Sequence, residues 1–260
     1  MIKGIIFDYD GTIAQTLERQ ERWLRHWAEV KDKKWPFFTY SEFQRFYNEQ
    51  LREGGLEQIY RTLDLPFAWD KSHEVWEAYD QFKAQDTILL YPGITEVIQE
   101  ISGLNLNPAS SESTKLRIGL NSSNTWKSIG PELSRFDLTS YFDSIVTTEV
   151  LRQEIGGDLS KLYKPSTASV ALMLRKLGTR ARETVHIGDT LVDLCASHQV
   201  RVNEQDQPEN LITIGVSYGF ESREILDQGV IIPSGERVYF DYVVDRPPEI
   251  VPTVRKLMVR

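Results

Sequence analysis

Two short acidic stretches hold most of the chemistry this chain could perform. The first is Asp8-Tyr9-Asp10-Gly11-Thr12, which directly follows the apolar run Ile5-Ile6-Phe7. Carboxylates at the end of a buried run need something to offset their desolvation. In an open parallel sheet, ligands sit beyond the carboxyl ends of the strands, so Asp8 and Asp10 are expected to project into such a crevice. Gly11 lets the backbone turn and present its amides. Two carboxylates this close repel one another, and a hard divalent cation relieves the repulsion; magnesium takes one or two protein carboxylates and completes its shell with water and phosphate oxygens. Either Asp alone would be read as an Asx-type turn.

The second stretch is His186-Ile187-Gly188-Asp189-Thr190-Leu191-Val192-Asp193, again Gly and Asp just past an apolar run. Asp189 and Asp193 are four apart, so one helical turn puts them on one face. A lone Asp189 would be a helix cap. With Asp8 and Asp10 at a second strand end, a shared metal site accounts better for all four. Two further positions suit phosphoryl transfer. Asn121-Ser122-Ser123-Asn124 offers amide and hydroxyl donors for phosphate oxygens, and Lys164-Pro165 supplies a cation that could neutralise both Asp8 and a phosphoryl group.

These residues need strands to carry them, and the texture of the chain supplies them. Expected strands are Lys3 to Asp8, Leu116 to Leu120, Ser144 to Thr148, Thr184 to Ile187, Leu211 to Val216 and Tyr242 to Val244. Between them fall helical patterns over Ile94 to Ile101, Thr167 to Leu177 and Val192 to His198, an alternation that argues for a parallel sheet with crossover helices. From about 16 to 84 the pattern is helical throughout: Trp23, Trp27 and Val30, then Phe43, Phe46, Tyr47 and Leu51, then Val75, Trp76, Tyr79 and Phe82. Aromatic stripes at this spacing pack as core. The first strand therefore belongs to a domain that the helical block interrupts. Asn105 to Ser113, Asn203 to Asn210 and Ile232 to Arg237 read as polar loops.

Composition narrows the partners. The chain has 260 residues, 30 Lys and Arg against 38 Asp and Glu, and a net charge of -8, which disfavours a nucleic acid or other polyanion as partner while leaving room for one small anion. Cys195 alone makes an internal disulfide or a four-thiolate zinc site impossible and suggests a reducing compartment. No apolar run is long enough to span a bilayer, and the N-terminus lacks a secretory signal, so a cytoplasmic protein with no membrane partner is expected. Oligomeric state is left open.

Taken together, the motifs resemble those of the haloacid dehalogenase superfamily. Asp8-Tyr9-Asp10-Gly11-Thr12 matches its first motif, Ser122 the second, Lys164-Pro165 the third, and Gly188-Asp189 through Asp193 the fourth, in order and nearly end to end. The resemblance implies an α/β fold, a Rossmann-like parallel-sheet core with an inserted helical cap: residues 1–15 and 88–260 as core, 16–87 as a C1 cap that closes over the site, with hinges near Ala14 to Thr16 and Ala84 to Tyr91. It implies Asp8 as nucleophile, Asp10 as general acid and base, and Ser122 and Lys164 as holders of the transferring group. Mg2+ would be bound by Asp8, the carbonyl of Asp10 and Asp189, with Asp193 acting through water or as a support. Thr12 resembles the residue that positions the general acid; Gly11, Asn121 and Ser123 would line the phosphate pocket.

Asp10 matches an acid carried by the phosphate-transferring members and missing from the dehalogenating ones. Within the cap, Asn48 to Gly55 resembles a helix-breaking specificity loop in which Arg52 would meet a substrate carboxylate or second phosphate. The C-terminal stretches Gly215 to Gly219, Leu226 to Gly229 and Asp241 to Val244 resemble phosphoglycolate phosphatase-like members. Tyr163, Thr167 and Asn121 depart from the usual pattern, as does the long approach Leu151 to Leu162. The expected activity is thus magnesium-dependent hydrolysis of a small phosphorylated metabolite, with phosphoglycolate a candidate. A phosphomutase of the beta-phosphoglucomutase type and a non-catalytic phosphate-binding protein are the alternatives.

Overall fold

The structure is a computed structural model that describes residues 1–68, 73–105, 115–157, 162, 164–203, 207–232 and 234–259, and for 52, 54 and 55 the backbone only. The chain divides into two compact units, Met1–Ala14 with Leu90–Arg260, and Gln15–Leu89.

The first unit is built on a six-stranded parallel sheet. Its strands are β1 (Gly4–Asp8), β2 (Arg117–Asn121), β3 (Ser144–Val146), β4 (Thr184–Gly188), β5 (Ile212–Val216) and, after a two-stranded hairpin of β6 (Val230–Ile231) and β7 (Arg237–Val238), β8 (Tyr242–Val244). The order is β3-β2-β1-β4-β5-β8. Every residue of β1 and β4 is buried, as expected of central strands covered on both faces. Burying Ile5, Ile6 and Phe7 contributes about 1.5–3 kcal/mol each. In β1 the register pairs Asp8 with Asn121 on one side and Phe7 with Ile187 on the other. The carboxyl ends of β1, β2 and β4 are therefore adjacent, at the point where the chain order reverses direction across the sheet.

Helices close the faces. In α4 (Ile94–Ser102) the residues Ile94, Val97, Ile98 and Ile101 form one buried stripe. Helix α7 (Ala168–Leu177) packs on β2 and β3 and ends at Gly178 in the left-handed conformation. Two shorter helices matter for the site: α6 (Thr148–Glu154) and α8 (Leu191–Ala196). Strand β3 stops at Val146, shorter than expected, because Thr148 already opens α6. Arg237, read as loop, lies in β7, which pairs antiparallel with β6, and Pro233 of the same segment lies outside the described residues. Glu209, also read as loop, exchanges two backbone hydrogen bonds with Val200 at 2.8 and 2.9 Å. Residues 106–113 of the first polar segment lie outside the described residues.

The second unit contains α1 (Thr16–Val30), α2 (Tyr40–Thr62) and α3 (Glu74–Gln85). Its aromatic residues form its core: Trp23 stacks on Trp27 with centroids 5.5 Å apart and donates from Nε1 to Tyr60 Oη at 2.6 Å. Val30 and Leu51, expected on the same faces, are exposed, the first in the terminal turn of α1 and the second one turn beyond buried Tyr47. Asn48 to Gly55 is not a loop. Helix α2 runs unbroken through Gly54 and Gly55, which each cost about 1 kcal/mol of helix propensity; a capping box between Thr39 and Glu42 anchors its start. Arg52 thus sits mid-helix, its side chain outside the described residues.

Candidate active site

Asp8 is the last residue of β1, and the chain turns at once. Ile13 and Ala14 both donate their N–H groups to the Tyr9 carbonyl at 3.0 Å, and Gly11 N–H donates to the Ala14 carbonyl at 2.9 Å. Gly11 has φ +72, and a Cβ on it would lie 1.9 Å from Asp189 Oδ2. Only glycine meets both conditions. The turn thereby brings the Asp10 backbone beside the end of β4, from which Asp189 projects.

Asp8, Asp189 and Asp193 are buried and offer carboxylate oxygens within 4.8 Å of one another. Lys164, from the loop before α7, reaches into the same place. Its Nζ donates to Asp8 Oδ1, to Asp193 Oδ1 at 2.7 Å and to the Asn121 carbonyl at 3.4 Å. The other oxygen of Asp193 accepts from Thr190 N–H at 3.2 Å and Thr190 Oγ1 at 2.7 Å. Asp193 is thus held on both sides and in turn holds the lysine. Asp10 stands apart from this cluster: its Oδ2 accepts from Asn124 Nδ2 at 2.6 Å.

The electrostatics follow from burial. Burial pushes the Asp8 carboxyl up to about 8, with Asp193 and Asp10 adding to the rise and Lys164 opposing it. Asp189 is likewise carried well above the usual range by burial, then by Asp193 and Asp8. Burial is the largest single influence on Asp193 and raises it, but the charges of Lys164 and His186 together with hydrogen bonds from Lys164 and Thr190 outweigh it and hold the carboxyl below the ordinary value. Burial disfavours the Lys164 ammonium too, yet Asp193 and Asp8 together raise it. Beneath them, burial and then Lys164 lower His186 to about 3, so it is a neutral imidazole with Nδ1 2.5 Å from Ser197 Oγ. Three carboxylates against one ammonium leave an excess of two negative charges when all are ionised. A hard divalent cation suits this all-oxygen donor set and would return Asp8 and Asp189 to their ionised forms.

The phosphate-side candidates separate. Ser122 is buried at the end of β2, with its Oγ accepting from Asn124 N–H at 3.1 Å, whereas Ser123 is exposed and anchors Thr148 Oγ1 through its carbonyl at 2.7 Å. Asn121 turns away toward α7, donating from Nδ2 to Ser169 Oγ at 3.2 Å. Its Oδ1 has no hydrogen-bond partner among the described residues, and neither does the buried Thr12 Oγ1. Tyr163 lies outside the described residues. The sequence offers Asn124 only as one of four donors for phosphate oxygens; its link to Asp10 has no local signal and exists only once β1 and β2 are paired.

The sequence model of the haloacid dehalogenase-like hydrolases matches residues 5–204. The chain belongs to that family. This hydrolase is 21% identical over 259 residues to a phosphoglycolate phosphatase of Synechococcus elongatus, an alignment covering 99% of each chain. Its fold is similar to that of a Thermotoga maritima protein assigned as a beta-phosphoglucomutase, at a TM-score of 0.65 and 19% identity, covering 98% of this chain and 100% of that one. It is also similar in fold to CbbY of Rhodobacter sphaeroides in complex with phosphate, at a TM-score of 0.59 and 22% identity over 96% of each chain. Among the described residues no helix is long and apolar enough to cross a membrane.

Proposed function

We propose that this hydrolase cleaves a small phosphomonoester, with Mg2+ as cofactor and Asp8 as nucleophile. The observation that carries the reading is the grouping of Asp8 with Asp189, Asp193 and Lys164 beyond the adjacent ends of β1 and β4, beside an Asp10 whose side chain is held by Asn124. Asp8 attacks phosphorus through a carboxylate oxygen while the bond to the leaving oxygen breaks, and Asp10 gives that oxygen its proton. Asp10 then takes a proton from water, which attacks the same phosphorus and expels the Asp8 carboxylate. Lys164 balances Asp8 and Asp193 and would meet the equatorial phosphoryl oxygens, with Ser122 as a further donor. Mg2+, when bound by Asp8, Asp189 and the Asp10 carbonyl, would supply charge neutralisation for nucleophile and phosphoryl group alike.

The substrate is a phosphorylated metabolite, and phosphoglycolate is the first to test, supported by the Synechococcus relative aligned over 99% of each chain. The test is phosphate release by EDTA-stripped protein with and without MgCl2, across phosphoglycolate and a set of sugar phosphates, with the products identified. Metal-dependent release of inorganic phosphate is expected. Formation of an isomeric sugar phosphate instead would favour the mutase, and no turnover on any phosphomonoester would favour a binding protein.

A further inference from the structure

Residues 217–221, which follow β5, take no part in the proposed chemistry, yet they fasten its framework at four places. Tyr218 Oη donates to the Thr12 carbonyl at 3.0 Å, and its ring packs on Tyr91 with centroids 4.7 Å apart. Gly219 approaches so closely that a Cβ on it would lie 2.4 Å from Asp189 Cβ, from Asp189 Oδ2 and from the Gly11 carbonyl oxygen. Phe220 N–H donates to Asp189 Oδ2 at 2.6 Å, while its ring covers Gly11, where an added Cβ would meet Phe220 Cδ2 at 2.5 Å. Glu221 Oε2 accepts from Leu191 N–H at 2.7 Å, at the start of the helix that carries Asp193.

We propose that Tyr218 to Glu221 form a clamp that fixes the Asp189 carboxylate and the Asp10 to Thr12 turn in one mutual arrangement, making them positioning residues for the divalent cation. The proposal rests on the metal-dependent reading above. A free aspartate has two side-chain torsions, and ordering them on cation binding costs affinity. With one oxygen already hydrogen-bonded to Phe220, Asp189 keeps the other for the cation in a preset direction. Partners that orient a ligand in this way commonly contribute 10–100-fold in metal affinity. Tyr218 does the same for the backbone, since the Thr12 carbonyl it holds is two residues from the Asp10 carbonyl.

The experiment uses the full chain, stripped with EDTA, and titrates MgCl2 alone into wild type, Tyr218→Phe and Gly219→Ala by calorimetry, alongside melts of each apoprotein. Gly219→Ala displaces Asp189 and is expected to weaken Mg2+ binding about 10- to 100-fold. Tyr218→Phe removes one hydrogen bond at nearly constant shape and is expected to weaken it about 3- to 10-fold, with an apo melting temperature close to wild type. If Gly219→Ala fails to fold, Tyr218→Phe decides. Wild-type affinity in every folded variant overturns the clamp and leaves the metal site standing. Absence of Mg2+ binding by the wild type overturns both.

Discussion

Replacing Lys164 by Met tests the electrostatic core of the site. The ammonium is buried and shared by Asp8 and Asp193, so its loss leaves two desolvated carboxylates without a cation. Breaking a buried pair in this way costs about 3–5 kcal/mol. At about 2–4 °C per kcal/mol for a domain of this size, the EDTA-treated variant should melt about 6–20 °C below wild type near neutral pH. The pH dependence separates charge from packing. In the wild type, Asp193 has a folded pKa below its unfolded value, so its pairing stabilises above the unfolded pKa and is lost only as pH falls through the folded one. Without Lys164, burial dominates and the sign reverses: the folded pKa rises above the unfolded value, and stability is lost as pH rises. Each pH unit over which Asp193 stays protonated in the folded variant adds about 1.4 kcal/mol to the deficit, or about 3–6 °C. Melts of both proteins in EDTA from pH 5.5 to 8.5 should therefore diverge, and added MgCl2 should narrow the gap at the alkaline end. A gap of constant size across that range would refute the argument, because it would mean that Lys164 contributes packing and not charge.

Three other outcomes follow from the same geometry. Asp8→Asn should abolish turnover, lowering kcat by at least about 1,000-fold, while raising the apo melting temperature relative to wild type at pH 8.5 and leaving it nearly unchanged near pH 4; the reason is that the folded pKa of about 8 makes ionised Asp8 a cost that accumulates as pH rises. Asn124→Ala should lower kcat about 10- to 100-fold with a smaller change in KM, since it frees the Asp10 carboxylate to misalign; steady-state kinetics on the best substrate of the screen would check it. Mg2+ affinity should climb with pH by up to about tenfold per unit for each of Asp8 and Asp189 that gives up its proton on binding, with the release measured by calorimetry in buffers of different ionisation enthalpy.

Much of this was legible in the chain because the signals are local. Ile5-Ile6-Phe7 followed by Asp8 specifies a buried strand ending in a carboxylate whatever surrounds it, and β1 begins and ends within a residue of the expected span. The stripe Ile94, Val97, Ile98 and Ile101 likewise fixes α4 by periodicity alone. Where local signals compete, tertiary packing decides. Asn48 to Gly55 resembles a helix-breaking loop, but α2 continues through it, stabilised from a cap and from packing at Phe43, Tyr47, Ile59 and Tyr60 elsewhere along its length. Asn121 offered an amide at a strand end, and only the position of α7 shows that it donates to Ser169.

The sequence by itself pointed to the groups proposed to carry the chemistry: Asp8 ends an apolar run, Asp10 adjoins Gly11, Asp189 follows Gly188, Asp193 lies one helical turn further on and Lys164 precedes Pro165, and those local signals are written in neighbouring residues. What only the tertiary structure decided is how these groups share their charges. That Lys164 is divided between Asp8 and Asp193, that Asn124 holds the Asp10 side chain, and that Phe220 fastens Asp189 all depend on strands β1, β2, β4 and β5 lying side by side. Such contacts join residues as far apart in the chain as Asp8 and Lys164, and hydrogen bonds form only within about 3 Å, a distance set by strand register and not by any local pattern.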